Sequence, residues 1–233
     1  MNGRPVLWLL PGLLCDDHVW RRQAEAFSAS HDVRIAGFRG FSSITEMARS
    51  VLEQSDDRFA LAGHSMGGRV ALEVVRLAPH RVTRLMLLDT GYKPRAPGEE
   101  EKRMALVDLA RHEGMAALAA VWLPPMVHPD RVNDSALMGP LVQMVCRADP
   151  DIFEGQQRAL LGRPDAGQGL AGIRCPTSLL CGSDDGWSPL AQHREIQARI
   201  AGSELTVIEG SGHMTTVERP EAVTEAMRRW IGA

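Results

Sequence analysis

Short apolar runs alternate with amphipathic stretches along the first 89 residues, and this alternation constrains the fold more than any other feature. Residues 6–10, 32–36, 59–62 and 85–88 read as short strands, with 6–10 and 59–62 apolar enough to be buried. Residues 16–29, a stretch ending near 55, and 69–77 read as helices between them. Asp16 or Asp17 supplies the N-cap of the first, and Ser43-x-x-Glu46 is a capping box that opens the second. Strands separated by helices cannot pair as hairpins. They form a parallel sheet with crossover helices on both of its faces. The pattern then changes. Residues 90–170 are rich in Pro and Met and carry helical signals at 99–112, 114–122, 135–148 and 151–161, with no convincing strand. The alternation returns with a strand at 177–181, a helix at 190–200, a strand at 204–208 and a helix at 221–231. The expected organisation is an α/β core of residues 1–89 and 171–233 with a small helical cap, 90–170, inserted in it. The alternative is that 90–170 continues the wound sheet.

Charge and composition exclude several classes. The chain has 233 residues, 26 Lys and Arg against 29 Asp and Glu, and a net charge of −3. A nucleic-acid binder shows a basic stripe, and none is present. An anionic membrane surface is disfavoured for the same reason. No apolar run approaches the roughly 20 residues that a membrane helix needs. The apolar start is broken at Pro11-Gly12 and lacks a signal-peptide cleavage pattern, so a cytoplasmic location is expected. Cys15, Cys146, Cys175 and Cys181 form no C-x-x-C pair and read as free thiols.

The chemistry is carried by Gly63-His64-Ser65-Met66-Gly67-Gly68, between an apolar strand and a helix. This is the context of a G-x-S-x-G nucleophile elbow. The chain must reverse sharply there to expose Ser65, and a Cβ at Gly63 or Gly67 would clash. The helix N-terminus behind Ser65 offers unpaired N–H groups to a developing oxyanion.

From first strand to last helix, the chain resembles the α/β-hydrolase fold, in particular its small capped carboxylesterases and enol-lactonases. The resemblance implies a downstream acid and base in the order Ser, Asp, His. Gly210-Ser211-Gly212-His213 is similar to the family's late Gly-His loop and makes His213 the base. Gly182-Ser183-Asp184-Asp185-Gly186-Trp187-Ser188-Pro189 resembles the family pattern G-x-x-D-x-x-x-P and selects Asp185 as the acid. Asp184, expected to cap that turn, and Asp89, at an earlier strand end, are the rivals. His64 would support the elbow without transferring protons. The backbone N–H groups of Leu13 and Met66 would form the oxyanion hole. Pro11-Gly12 stands where many relatives have His-Gly, and the loop 36–42 lacks their usual Asp. Leu14, Trp122, Met126, Trp187 and Met214 are candidate pocket residues.

No metal-ligand spacing and no G-x-G-x-x-G after the first strand occur, so no metal or redox cofactor is indicated. The implied activity is hydrolysis of a small-molecule ester, lactone or thioester through an acyl-enzyme on Ser65. Two alternatives remain. The same triad could serve carbon–carbon bond hydrolysis or perhydrolase or lyase chemistry, or the pocket could belong to a non-catalytic small-molecule receptor. Nucleic acid and membranes are not expected partners, and no sequence feature sets an oligomeric state.

Overall fold

The computed structural model describes residues 3–55 and 58–232. Six parallel strands form one sheet: β1 (Val6–Leu10), β2 (Asp32–Ile35), β3 (Phe59–His64), β4 (Val82–Leu88), β5 (Thr177–Gly182) and β6 (Glu204–Ile208). Their order is β2-β1-β3-β4-β5-β6. Leu10 pairs with Gly63, His64 with Leu88, and Leu88 with Leu180. The central strands β1, β3 and β5 are buried along their whole length, whereas edge strand β2 is only half-buried. This is the burial of a sheet covered on both faces.

Helices α1 (Arg21–Phe27), α2 (Ile44–Glu53) and α3 (Met66–Leu77) connect the first four strands. The first expected helix divides in two. Asp16 caps a 3₁₀ turn at Asp17–Trp20, and α1 follows. Ser43 caps α2 as its sequence dictates, accepting from the Glu46 N–H at 3.4 Å. Helix α3 starts three residues earlier than its apolar periodicity suggests, because Gly67 and Gly68 belong to it. A Cβ on Gly67 would lie 2.1 Å from the Leu10 carbonyl oxygen, and one on Gly68 would lie 2.6 Å from Thr90. These glycines serve close packing rather than chain flexibility.

Between β4 and β5 lie α4 (Glu99–Glu113), α5 (Met115–Trp122), α6 (Ser135–Cys146) and α7 (Pro150–Leu161), with no strand among the described residues. Helix α4 packs on α5 and α7, and α5 packs on α6. Helix α8 (Leu190–Gln197) follows β5. A four-residue helix, α9 (Thr215–Glu218), precedes α10 (Pro220–Ile231). It is too short for periodicity to reveal. All four cysteines are free thiols. Among the described residues, no helix is long and apolar enough to cross a membrane.

Candidate active site

All six strands run the same way, so the loops that leave their carboxyl ends gather along one edge of the sheet. Such an edge is where open α/β sheets bind ligands. The turn after β3 places Ser65 at φ 54° and ψ −115°. A non-glycine residue held there stores about 1–3 kcal/mol of strain. Its surroundings fix it. The Ser65 N–H donates to the Leu88 carbonyl at 2.9 Å, and the Ser65 carbonyl accepts from the Gly68 N–H at 3.0 Å and the Thr90 hydroxyl at 2.6 Å. A Cβ on Gly63 would lie 2.3 Å from the Gly67 carbonyl oxygen, and one on Gly12 would lie 3.2 Å from the Ser65 Cβ. The Ser65 side chain caps no backbone group of α3. Its Oγ lies 2.8 Å from His213 Nε2.

His213 Nδ1 lies 2.9 Å from Asp185 Oδ2. Asp185 Oδ1 accepts the N–H groups of Trp187 and Ser188, each at 2.8 Å. The structure therefore brings Ser65, His213 and Asp185 into one hydrogen-bonded chain. Asp185 itself takes the turn's N–H groups, the position expected for Asp184. The Asp184 carboxylate accepts from the Ser183 hydroxyl and stands 3.6 Å from His128 Nε2. Asp89 is buried next to this chain and does not bond to His213. It accepts from the Gly182 N–H and the Thr215 hydroxyl.

Electrostatics separate the two buried carboxyls. Burial works against ionisation of Asp185, but the adjacent His213 and the turn N–H groups outweigh it and hold its pKa below the usual range. Burial and the charge of Asp185 push Asp89 well above that range. Burial opposes the His213 imidazolium, and Asp185 more than compensates, raising the His213 pKa. His64 is the opposite case. Burial, then the charge of His213, lowers it to about 4. Its Nε2 lies 2.8 Å from the His213 carbonyl oxygen. That acceptor selects the Nε2–H tautomer, so neutral His64 braces the backbone of His213.

The His213 loop is tied down from both sides. The N–H groups of His213 and Met214 donate to the Met126 carbonyl at 2.8 and 3.2 Å. Buried Glu218, on α9, accepts from the Gly212 N–H at 2.9 Å and the His128 N–H at 2.8 Å.

A cleft with about 590 Å³ of empty space, its solvent-open mouth included, has Ser65 and His213 in its wall. Leu13, Met66, Trp122, Met126, Trp187 and Met214 line it as well. Trp187 is 43% exposed, which puts it at the mouth. Met66 opens α3, so its N–H has no partner within the helix. Leu14 is the exception among the expected pocket residues. At φ 57° it turns into the core, and its N–H donates to Gln156 Oε1 at 2.8 Å. The Gln156 Nε2 donates in turn to the Phe38 carbonyl at 3.3 Å. A glutamine from α7 thus fastens the Pro11-Gly12 loop.

Sequence reading did not find Arg69 and Arg103, which also line the cleft. The spacing of Arg69, four residues after Ser65, was an available signal. Among the described residues, one buried group of side chains has metal-like spacing: Asp89, Cys181 and Asp185, with ligand atoms within 4.8 Å of one another. Its carboxylate oxygens are already taken by the bonds above. Burial and the two carboxyls raise the Cys181 pKa and keep the thiol protonated.

The family model described as "Alpha/beta hydrolase family" matches residues 6–226. A protein of Escherichia coli named "Putative carbamate hydrolase RutD" is 25% identical, the match covering 93% of this chain and 87% of that protein. Its namesake in Azorhizobium caulinodans is 28% identical over 99% of this chain and 92% of that one. Among solved structures, a thermophilic esterase from Thermogutta terrifontis, with malate bound, superposes with a TM-score of 0.87 at 28% identity, covering 98% of this chain and 89% of that one. The enol-lactonase of Burkholderia xenovorans superposes at 0.90 with 24% identity, covering 100% and 93%.

Proposed function

The chain belongs to the alpha/beta hydrolase family and is a hydrolase of that fold, and from this premise we propose that it cleaves a small-molecule ester, lactone or thioester through an acyl-enzyme on Ser65. One observation carries the reading: the chain Ser65 Oγ–His213 Nε2, 2.8 Å, and His213 Nδ1–Asp185 Oδ2, 2.9 Å, at the wall of the cleft. The relatives named as carbamate hydrolase and esterase support it, since both names denote attack at a carbonyl with a heteroatom leaving group.

His213 Nε2 takes the Ser65 proton as Oγ bonds to the carbonyl carbon. The carbonyl π electrons move to the oxygen, which the Leu13 and Met66 N–H groups hold. Collapse of this adduct breaks the bond to the alcohol, thiol or enol, and the His213 imidazolium supplies its proton. Water then gives a proton to His213 and attacks the acyl carbon. Ser65 leaves with that proton, and the acid is released. Asp185 keeps the imidazole in the required tautomer and stabilises its cation. Residues 90–170 act as a cap that closes the cleft and selects the substrate. Arg103, Trp122, Met126 and Leu160 are among the residues they contribute to its wall.

The test is a p-nitrophenyl ester series from acetate to decanoate on wild type and Ser65→Ala, with fluorophosphonate labelling located by peptide mass. Turnover should fall by about a millionfold in Ser65→Ala, and label should appear on Ser65. Absence of both turnover and labelling in the wild type would refute the serine nucleophile.

A further inference from the structure

Ser65 is the N-cap of α3, and Arg69 lies in the first turn of that helix. Both line the cleft. Arg69 Nη1 donates to the Lys93 carbonyl at 2.9 Å. Its Nη2 fills the space a side chain at Gly91 would take, since a Cβ there would lie 2.8 Å away. A guanidinium carries five N–H donors. Among the described residues, the bond to Lys93 is the only one that the Arg69 side chain makes, and no carboxylate pairs with it.

The neighbours do not supply the missing anion. Arg163 and Arg103 lie close enough to repel Arg69, and Glu99 is the carboxylate in the same field. Three cations and one anion leave a net charge of +2. Glu99 is already engaged by Arg163 at 2.7 Å on each oxygen and by Arg103 Nε at 2.7 Å. Glu73, on the same helix as Arg69, is held by Arg76 through two bonds of 2.7 Å. Burial and then Arg163 draw the Arg69 pKa down to about 9, which still leaves it cationic at neutral pH. The cleft wall offers another unused donor. The indole Nε1 of Trp122 is buried and makes no hydrogen bond among the described residues.

A cation without a counter-ion in a partly desolvated wall is costly unless a ligand completes it. Two parallel N–H groups on a planar guanidinium match the two oxygens of a carboxylate. We infer that the substrate carries a carboxylate, which pairs with Arg69 and so sets the scissile carbonyl against Ser65 in the same cleft. Arg103 adds the second positive charge at this wall. The inference rests on the serine-hydrolase reading for its chemistry, and its binding part can be tested without it.

The experiment compares monomethyl glutarate with methyl 5-methylhexanoate, in which an isopropyl group replaces the carboxylate, both followed by acid release at constant pH. Wild type should favour the half-ester in kcat/KM by about 10- to 100-fold, the range of a charge-assisted hydrogen bond. Arg69→Met should remove most of that preference, and Arg69→Lys should restore part of it. Turnover of the neutral ester reports that each variant is folded. Equal use of both esters by wild type, or equal loss on both in Arg69→Met, would overturn the inference. Calorimetry with glutarate on Ser65→Ala, with and without Arg69→Met, separates the two readings. Binding that requires Arg69 supports the inference even if Ser65→Ala still hydrolyses esters and the serine reading falls. Glutarate binding that ignores Arg69 would overturn it.

Discussion

Replacing Asp185 by Asn keeps the shape of the side chain and removes its charge and one acceptor. Asp185 Oδ1 takes two N–H groups at 2.8 Å, and Oδ2 faces His213 Nδ1 at 2.9 Å. An amide oxygen can keep both N–H bonds, because it also accepts two. The NH₂ group then stands where Oδ2 stood and can only donate. His213 Nδ1 must become the acceptor, and the ring proton moves to Nε2, 2.8 Å from Ser65 Oγ. That nitrogen can no longer take the serine proton, and an imidazolium formed there would lack its counter-charge. The same exchange in serine-protease triads drops turnover by about 10⁴. At about 1.36 kcal/mol per decade, this is roughly 5.4 kcal/mol of barrier. The fold should not share the loss, because the turn bonds persist, and the melting temperature should move by only about 5 °C or less. The assay pairs p-nitrophenyl butyrate turnover with the rate of fluorophosphonate labelling, and runs Asp89→Asn in parallel. Asp89 stands 3.7 Å from His64 and bonds to Gly182 and Thr215, so its replacement should cost far less activity. Asp185→Asn retaining more than a tenth of wild-type labelling while Asp89→Asn collapses would refute the assignment and make Asp89 the acid.

Because Asp185 raises the pKa of His213, kcat/KM should fall on the acid side with a midpoint above the ordinary imidazole value of about 6.5. The linked stability has the opposite sense: it is fully present below the unfolded pKa and is lost as pH rises through the folded one. A midpoint at or below 6.5 in the rate profile would contradict the pairing. Gly67→Ala places a Cβ 2.1 Å from the Leu10 carbonyl oxygen, backbone that cannot swing aside. The variant should lose upwards of about 3 kcal/mol in urea unfolding or fail to accumulate as folded protein, and a near-native midpoint would show that β1 and α3 are not so close. Glu218→Ala strips buried partners from the Gly212 and His128 N–H groups. Each orphaned donor costs about 1–3 kcal/mol, so stability should drop by roughly 2–6 kcal/mol, with slower turnover because His213 adjoins Gly212. An unchanged denaturation curve would mean that the loop is held otherwise.

Local chemistry made much of this protein legible in its sequence. Strand–helix alternation dictates a parallel sheet because each apolar run needs cover on both faces. The Gly-rich turn around Ser65 is readable because only glycine tolerates carbonyl oxygens at 2.1–2.3 Å from a Cβ position. His213 and Asp185 are legible through their loops, each a few residues past a strand end, which resemble the family's patterns. Contacts between distant residues were not legible. Asp184 and Asp185 are neighbours in sequence, and the direction of the turn decides which one reaches a histidine 28 residues away. Leu14 looked like a pocket residue, but Gln156, 142 residues further on, holds its backbone turned into the core. Arg69 reads as an ordinary helix cation until the fold shows that, among the described residues, no carboxylate pairs with it. Local sequence fixes which backbone conformations and side chains are available at each strand end. Which of them meet, and which are left without a partner, depends on how segments far apart in the chain pack, and no local pattern encodes that.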